Sequence, residues 1–255
     1  MIGAKKMCPL TRSATRNNAT MSGWKTKRFW TEAIAEPCEG GFTVRLDARL
    51  VRTPLKAALT LPTLEMARAV AAEWDAQTGL VKPQTMPVTR AANSAIDKIV
   101  PQFDEVTGLL AAYGGSDLIC YRATDPQALI ARQAQAWDPL IAWSADTLQA
   151  PLVATAGVIH IPQPDQSLAR LTSLVTALDP FRLAGIHDLI AISGSLVLAL
   201  AITHRRLTAD QAWILSRIDE TWQQELWGID DEAAELAAFR RAAFLEADRF
   251  YQLCG

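Results

Sequence analysis

Residues 41–51, Gly41-Phe42-Thr43-Val44-Arg45-Leu46-Asp47-Ala48-Arg49-Leu50-Val51, decide the fold class. Phe42, Val44 and Leu46 alternate with polar residues, the period of a strand with one buried face. Leu50 and Val51 resume after the turn at Asp47-Ala48-Arg49, so the stretch reads as a β-hairpin. A third strand is expected over residues 57–61. Pro62 and Thr63 then open a helix carrying Leu64, Ala67, Val70, Ala71 and Trp74 at helical spacing. Two more helices are expected over 89–99 and 102–113, the second closed by Gly114 and Gly115 where helix terminators belong, followed by a strand over 118–122. The N-terminal part, residues 24–124, is therefore an α+β domain: a small antiparallel sheet with covering helices.

Beyond that point the pattern becomes mainly helical, giving a C-terminal helical domain over 125–255. Asp125-Pro126, Asp138-Pro139 and Asp179-Pro180 are each expected to start a helix, because Asp caps free amides and Pro suits the first helical position. Residues 150–165, with Pro151, Pro162 and Pro164, read as a strand or a connector. Thr208 and Gln211 form a capping-box pattern, Gly228 ends that helix and Asp230 caps the next. The longest uncharged apolar run, residues 189–203, has 15 residues, short of the roughly 20 needed to span a bilayer. It reads as a buried helix, with no stable membrane insertion.

The chain has 255 residues, 50% of them hydrophobic and 20% charged, with a net charge of -2. That composition supports a large core and provides no overall field for nucleic acid or an acidic membrane. The exception is the basic N-terminus, where Lys5, Lys6, Arg12, Arg16, Lys25, Lys27 and Arg28 precede the first acid, Glu32. Residues 1–23 read as a disordered leader or an over-extended start with Met21 as a second initiator; the same composition also suits a mitochondrial presequence. Cys8, Cys38, Cys120 and Cys254 are scattered without a CxxC pair, which signals free thiols rather than zinc or disulfides.

No pattern for catalysis or cofactor binding emerges. Gly114-Gly115-Ser116 lacks the lysine of a phosphate loop. Ser193-Gly194-Ser195 is not a nucleophile elbow and reads as core packing. His160, His187 and His204 are too dispersed for metal-ligand spacing. Glu73 and Asp75 flank Trp74 and point in different directions on a helix, which reads as a solvated face around a buried ring. An enzyme reading needs a pocket, around these acids with Arg90 or Asn93.

The tryptophans are the more unusual feature. There are 8, several beside acids: Trp74 with Glu73 and Asp75, Trp137 with Asp138, Trp222 and Trp227 around Glu225. Exposed members of such a set would mark a binding surface. A continuous helix over 208–227 places Ile214, Leu215, Ile218, Trp222 and Leu226 on one core-facing stripe. On the same wheel Glu220 is outward, Asp219 lies at the boundary, and Glu225 falls near the stripe, either stacked near the frayed helix end or held by a basic neighbour, because a buried unpaired carboxylate is costly.

Residues 46–54 (LDARLVRTP), 73–77 (EWDAQ), 86–97 (MPVTRAANSAID), 117–123 (DLICYRA), 137–143 (WDPLIAW) and 219–228 (DETWQQELWG), taken together and in order, resemble the alpha-subunit assembly chaperones of F1-ATPase, found in mitochondria and alphaproteobacteria. The resemblance implies two domains, no enzymatic activity, no cofactor or metal, and a monomer whose partner is the unassembled alpha subunit. It implies the bacterial cytoplasm or, alternatively, the mitochondrial matrix. By the resemblance an acidic residue in 219–228 is functional, carried over to Glu220, with Asp219, Gln224 and Trp227 as further partner-binding positions. Trp74, Asp75, Asn93, Asp97, Trp137 and Asp138 are family-motif positions of structural or functional weight. A generic interaction domain would share every compositional feature.

Overall fold

The computed structural model describes residues 27–255; the expected leader, with Cys8 and Met21, lies outside them. β1 (Ala33–Cys38) and β2 (Gly41–Leu46) pair antiparallel, Ala33 opposite Leu46, and β3 (Arg49–Leu50) continues on the other side of β2. The hairpin of β2 and β3 turns through Asp47-Ala48, with Asp47 at φ 50°. The Asp47 carboxylate accepts from the amides of Thr31 and Glu32, at 3.0 and 3.1 Å. The strand expected over 57–61 is reduced to isolated bridges, Ala58 to Arg52 and Leu61 to Phe42.

α1 (Leu64–Asp75) is capped by Thr63, whose Oγ1 accepts from the Met66 amide at 3.1 Å. It buries Met66, Ala67, Val70, Ala71 and Trp74. α2 (Pro87–Ser94) runs into a wider π-type turn at Ala95–Ile99. Pro101 explains the widening: its ring would meet the carbonyl four residues back in a regular helix. α3 (Phe103–Ala111) follows. The strand expected over 118–122 shortens to β4 (Tyr121–Arg122), because Leu118–Cys120 close a helical turn on the Asp117 carboxylate. Its parallel partner is β5 (Thr155–Ala156), so the segment at 150–165 supplies a short strand.

The helical part comprises α4 (Gln127–Asp146), α5 (Asp165–Thr176), α6 (Pro180–Ser193), α7 (Leu196–Thr203), α8 (Ala209–Ser216), α9 (Ile218–Trp227) and α10 (Asp231–Gln252). Of the three Asp-Pro starts, Asp179-Pro180 stands: Asp179 accepts from the amides of Phe181 and Arg182. At Asp125-Pro126 the cap is Pro126 and no side chain serves the amides. Asp138-Pro139 lies inside α4, with Pro139 and Gln135, four residues before it, both at exposed positions. Asp138 is engaged elsewhere, by Arg122.

The apolar run at 189–203 is two helices, not one. Gly194 takes φ +72°, a left-handed conformation that glycine adopts without steric cost, and Ser195 caps α7 by accepting from Leu198. From across the fold Asp117, fully buried, accepts from the Val197 amide at 2.9 Å and from Ile119. The Ser-Gly-Ser motif thus punctuates a buried helix pair.

Two apolar cores result. One gathers Trp30, Val44, Leu61, Val70, Trp74 and Val88 between sheet, α1 and α2. The other runs from Ile99 through Trp137, Leu171, Ile186 and Leu200 to Phe244. α10 joins them: Phe244 belongs to the second core, Phe250 and Cys254 to the first, and Thr63 Oγ1 donates to the Leu253 carbonyl at 2.6 Å.

Two outcomes are expected. A Cβ at Gly185 of α6 would lie 2.9 Å from Tyr251 Cβ and 3.1 Å from its Cα on α10, so Gly185→Ala should destabilise the fold by about 1–3 kcal/mol in urea melts. Burial pushes the Asp117 carboxyl up to about 6 from 3.8, although Ser195 and three amides pull it back. Between those values the folded chain binds more protons than the unfolded one, so this group's contribution to stability falls as pH rises. The thermal midpoint of the wild type, taken relative to Asp117→Asn, should therefore decrease from about pH 4 to about pH 6.5; a difference that grows with pH contradicts the assignment.

Candidate functional site

The helix expected over 208–227 breaks at Arg217, with φ -119° and ψ 20°. The capping box of Thr208 and Gln211 is present. The break has a tertiary cause: Trp137 Nε1 donates to the Leu215 carbonyl at 2.9 Å, which occupies an acceptor the continuing helix would need. α9 therefore swings away, and the single stripe dissolves. Ile218 is buried, whereas Ile214 and Leu226 are exposed.

The redirected α9 lies against α4 through polar contacts. Gln133, buried on α4, accepts from the Ala123 amide at 2.7 Å and donates to Asp219 Oδ1 at 2.6 Å. Arg122 donates to the Gln133 carbonyl at 2.8 Å and pairs with Asp138 at 2.8 Å. Burial pushes the Arg122 guanidinium down, and the Asp138 charge opposes that shift. Asp138 and Asp219 are thus anchored within one network. Arg122, Gln133 and Arg217 were not among the residues singled out from sequence; the available signal was that Arg122 stands in the 117–123 block and Gln133 shares a helix face with Trp137, four residues on.

Arginines complete the association of tryptophans with acids. The Arg122 guanidinium lies 5.2 Å from the Trp137 ring while pairing with Asp138. Arg132 lies 5.1 Å from Trp222 and pairs with Glu225 at 2.9 Å. Arg217 lies 5.6 Å from Trp213 and pairs with Glu220 at 2.6 Å. Arg28 does the same between Trp30, at 5.5 Å, and Asp75, at 3.5 Å. Each cation bridges a ring face and a carboxylate, so the two attractions orient one another. Glu225 has the basic neighbour its position asked for, although it stands exposed rather than near the core. Glu220 keeps 43% of its side chain exposed beside Arg217, and Gln224 is half-buried. Trp227 stands apart: 78% exposed at the end of α9, with no ring or hydrogen-bond partner for its side chain among residues 27–255.

The remaining motif positions are elsewhere. Trp74 is buried on α1, edge-on to Trp30 with centroids 5.2 Å apart. Glu73 is not a solvated acid: its carboxylate accepts from the Val88 and Thr89 amides, both at 2.8 Å, and caps α2. Burial pushes its carboxyl up, opposed by those bonds. Asp97 accepts from the Leu55 amide at 3.1 Å, and Asn93 Oδ1 is buried without a partner among residues 27–255. No hydrogen bond or ion pair joins these positions to α9 among the described residues. The structure therefore brings Trp137, Asp138 and Asp219 together at the junction of α4 and α9, carries Glu220, Gln224 and Trp227 on α9 beside it, and leaves Trp74, Asp75, Asn93 and Asp97 in the sheet-bearing part.

Two surface hollows bear on the enzyme alternative. One, of about 190 Å³, is lined by Phe29, Leu46, Arg49, Leu50, Val51, Arg52 and Trp74. The other, of about 300 Å³, includes Arg205, Arg206, Gln211 and Asp248. Neither contains Arg90 or Asn93, and both oxygens of Glu73 already serve α2.

The same fold recurs in solved proteins. A Paracoccus denitrificans Atp12 crystal structure is 49% identical, covers 91% of this chain and 100% of its own, and superposes with a TM-score of 0.89. The chain belongs to the ATP12 chaperone family. The family model described as ATP12 chaperone protein matches residues 27–145. An Agrobacterium tumefaciens structure is 38% identical over 90% of this chain and 86% of that one, with a TM-score of 0.85. The Schizosaccharomyces pombe protein atp12, mitochondrial, is 23% identical over 82% of this chain and 76% of its own.

In this ATP12 family member, Gln133→Leu should remove the donor to Asp219 and the acceptor for Ala123. The expected cost is about 1–3 kcal/mol in chemical denaturation. A variant as stable as wild type would show that the network does not fix α9.

Proposed function

We propose that this chain is an F1-ATPase assembly chaperone that binds the unassembled alpha subunit and prevents its aggregation until alpha pairs with beta. The single observation that carries the reading is Trp227, a motif residue whose large ring stands in water while four other acid–tryptophan sets of the chain are closed by arginines. Exposed rigid aromatics are costly in solvent and favourable at interfaces. Membership of a chaperone family supports the same reading, as does the chemistry of a client whose ring-forming faces are apolar before assembly.

In this reading Glu220, Asp219, Gln224 and Trp227 form the partner-binding edge, and the buried members of the network hold that edge in place. The protein acts as a monomer, without catalysis, metal or cofactor. Among the described residues no helix is long and apolar enough to cross a membrane. The bacterial cytoplasm is the proposed compartment, supported by the identity to the Paracoccus protein; the mitochondrial matrix is the alternative, supported by the fission yeast relative's name.

Expression with alpha and with beta separately tests the proposal. The expected result is a stoichiometric complex with alpha and none with beta; alpha that fails to associate overturns it. Glu220→Ala breaks a partly exposed pair and should change stability by less than about 1 kcal/mol while weakening the alpha complex. Unchanged affinity removes Glu220 from the surface.

A further inference from the structure

The first three turns of α10 carry no buried residue, although they continue a helix whose later turns lie in both cores. Leu236 is 50% and Phe239 73% exposed, and these two, three residues apart, share one face of the helix. Ile229 in the connection and Leu226 and Trp227 at the end of α9 are exposed as well. The connection is short, residues 228–230, so Leu226, Trp227 and Ile229 lie next to the start of α10, and Leu236 and Phe239 follow about 8–12 Å along it at roughly 1.5 Å per residue; together they line the tip made by the end of α9, the connection and the first turns of α10. None is needed to close either core.

The tip has a charge pattern of its own. Asp231, Glu232 and Glu235 have no ion-pair partner among residues 27–255, and Glu232 and Glu235 stand one turn before Leu236 and Phe239 on the same face. Asp230 caps Ala233, and Arg241 is paired with Asp210. Of the arginines of α10, Arg240 is the one without an ion-pair partner among the described residues. The acids in the first turn also favour the positive end of the helix, but Glu235 lies beyond that turn. A second copy of this chain would set acidic rim against acidic rim in a two-fold contact.

We infer that the α9–α10 tip, with Ile229, Leu236 and Phe239 beside Trp227, is the surface that docks an apolar patch with a basic rim on the client. This inference rests on the chaperone reading and extends it from the motif residues of α9 to α10, where the sequence suggested no site. Apolar anchors provide the affinity, and the carboxylates orient the client and make its capture sensitive to salt.

The test compares the full chain with Leu236→Ser/Phe239→Ser and with Glu232→Lys/Glu235→Lys, using purified alpha subunit and titrating at low and high salt. Leu236 and Phe239 are exposed, so the serine variant's thermal midpoint should match wild type, while the lysine variant, which puts a cation in the first turn of α10, should melt slightly lower and is compared as the folded protein. The serine variant should bind at least about tenfold more weakly, and the lysine variant should bind more weakly at low salt with a flatter salt dependence. Wild-type binding to alpha with serine-variant affinity within about twofold of it overturns the tip while leaving the chaperone reading intact. Wild type that does not bind alpha at all overturns both. A wild-type dimer that the serine substitutions dissociate, with alpha binding unchanged, gives the tip to a second copy instead.

Discussion

Asp117 is fully buried, and its carboxylate faces the start of α7 within a largely apolar helix pair. Helix amides left unbonded in such an environment would be costly, so the break between α6 and α7 depends on this acceptor as much as on Gly194 and Ser195. The same short segment continues through β4 to Arg122 and Ala123, which engage α4. One stretch of seven residues, 117–123, therefore fixes both the deepest part of the helical core and the polar junction that aims α9.

The repeated arginine between a tryptophan face and a carboxylate solves a local problem. An arginine stacked on a ring is partly desolvated, and an adjacent acid compensates it without requiring burial of the acid. The pattern occurs on both parts of the molecule, at Trp30 and at Trp137, Trp213 and Trp222. It makes four of the eight tryptophans structural. Trp227 is informative because it is excluded from that pattern.

Local signals were legible where local chemistry decides. The β2–β3 hairpin, the Thr63 cap, the Asp179 cap and the Thr208–Gln211 box follow from neighbouring residues alone. β1 was invisible because Ala33-Ile34-Ala35-Glu36-Pro37-Cys38 has neither clean alternation nor strong strand formers throughout. The position of Asp138-Pro139 and the break at Arg217 depend on Arg122 and Trp137, contacts that no window of sequence contains. For the candidate site, the outward character of Glu220 was readable from helical geometry and is only half realised, since Arg217 covers part of it. The exposed face of α10 was masked by the same apolar residues that elsewhere signal core, and only the folded chain shows that nothing among its described residues covers them.

α10 has 22 residues, about 33 Å at roughly 1.5 Å per residue, and its buried residues all lie in its second half, with only Ala237 and the Arg241–Asp210 pair touching the body before them. There it packs tightly enough against Gly185 that no side chain fits, and it ends in the core beneath the sheet, hooked to Thr63. It is therefore a cantilever: a stiff beam with a built-in foot and a free end. The free end needs no partner of its own to stay rigid, which lets an adhesive tip stand in solvent without collapsing onto the body that carries it.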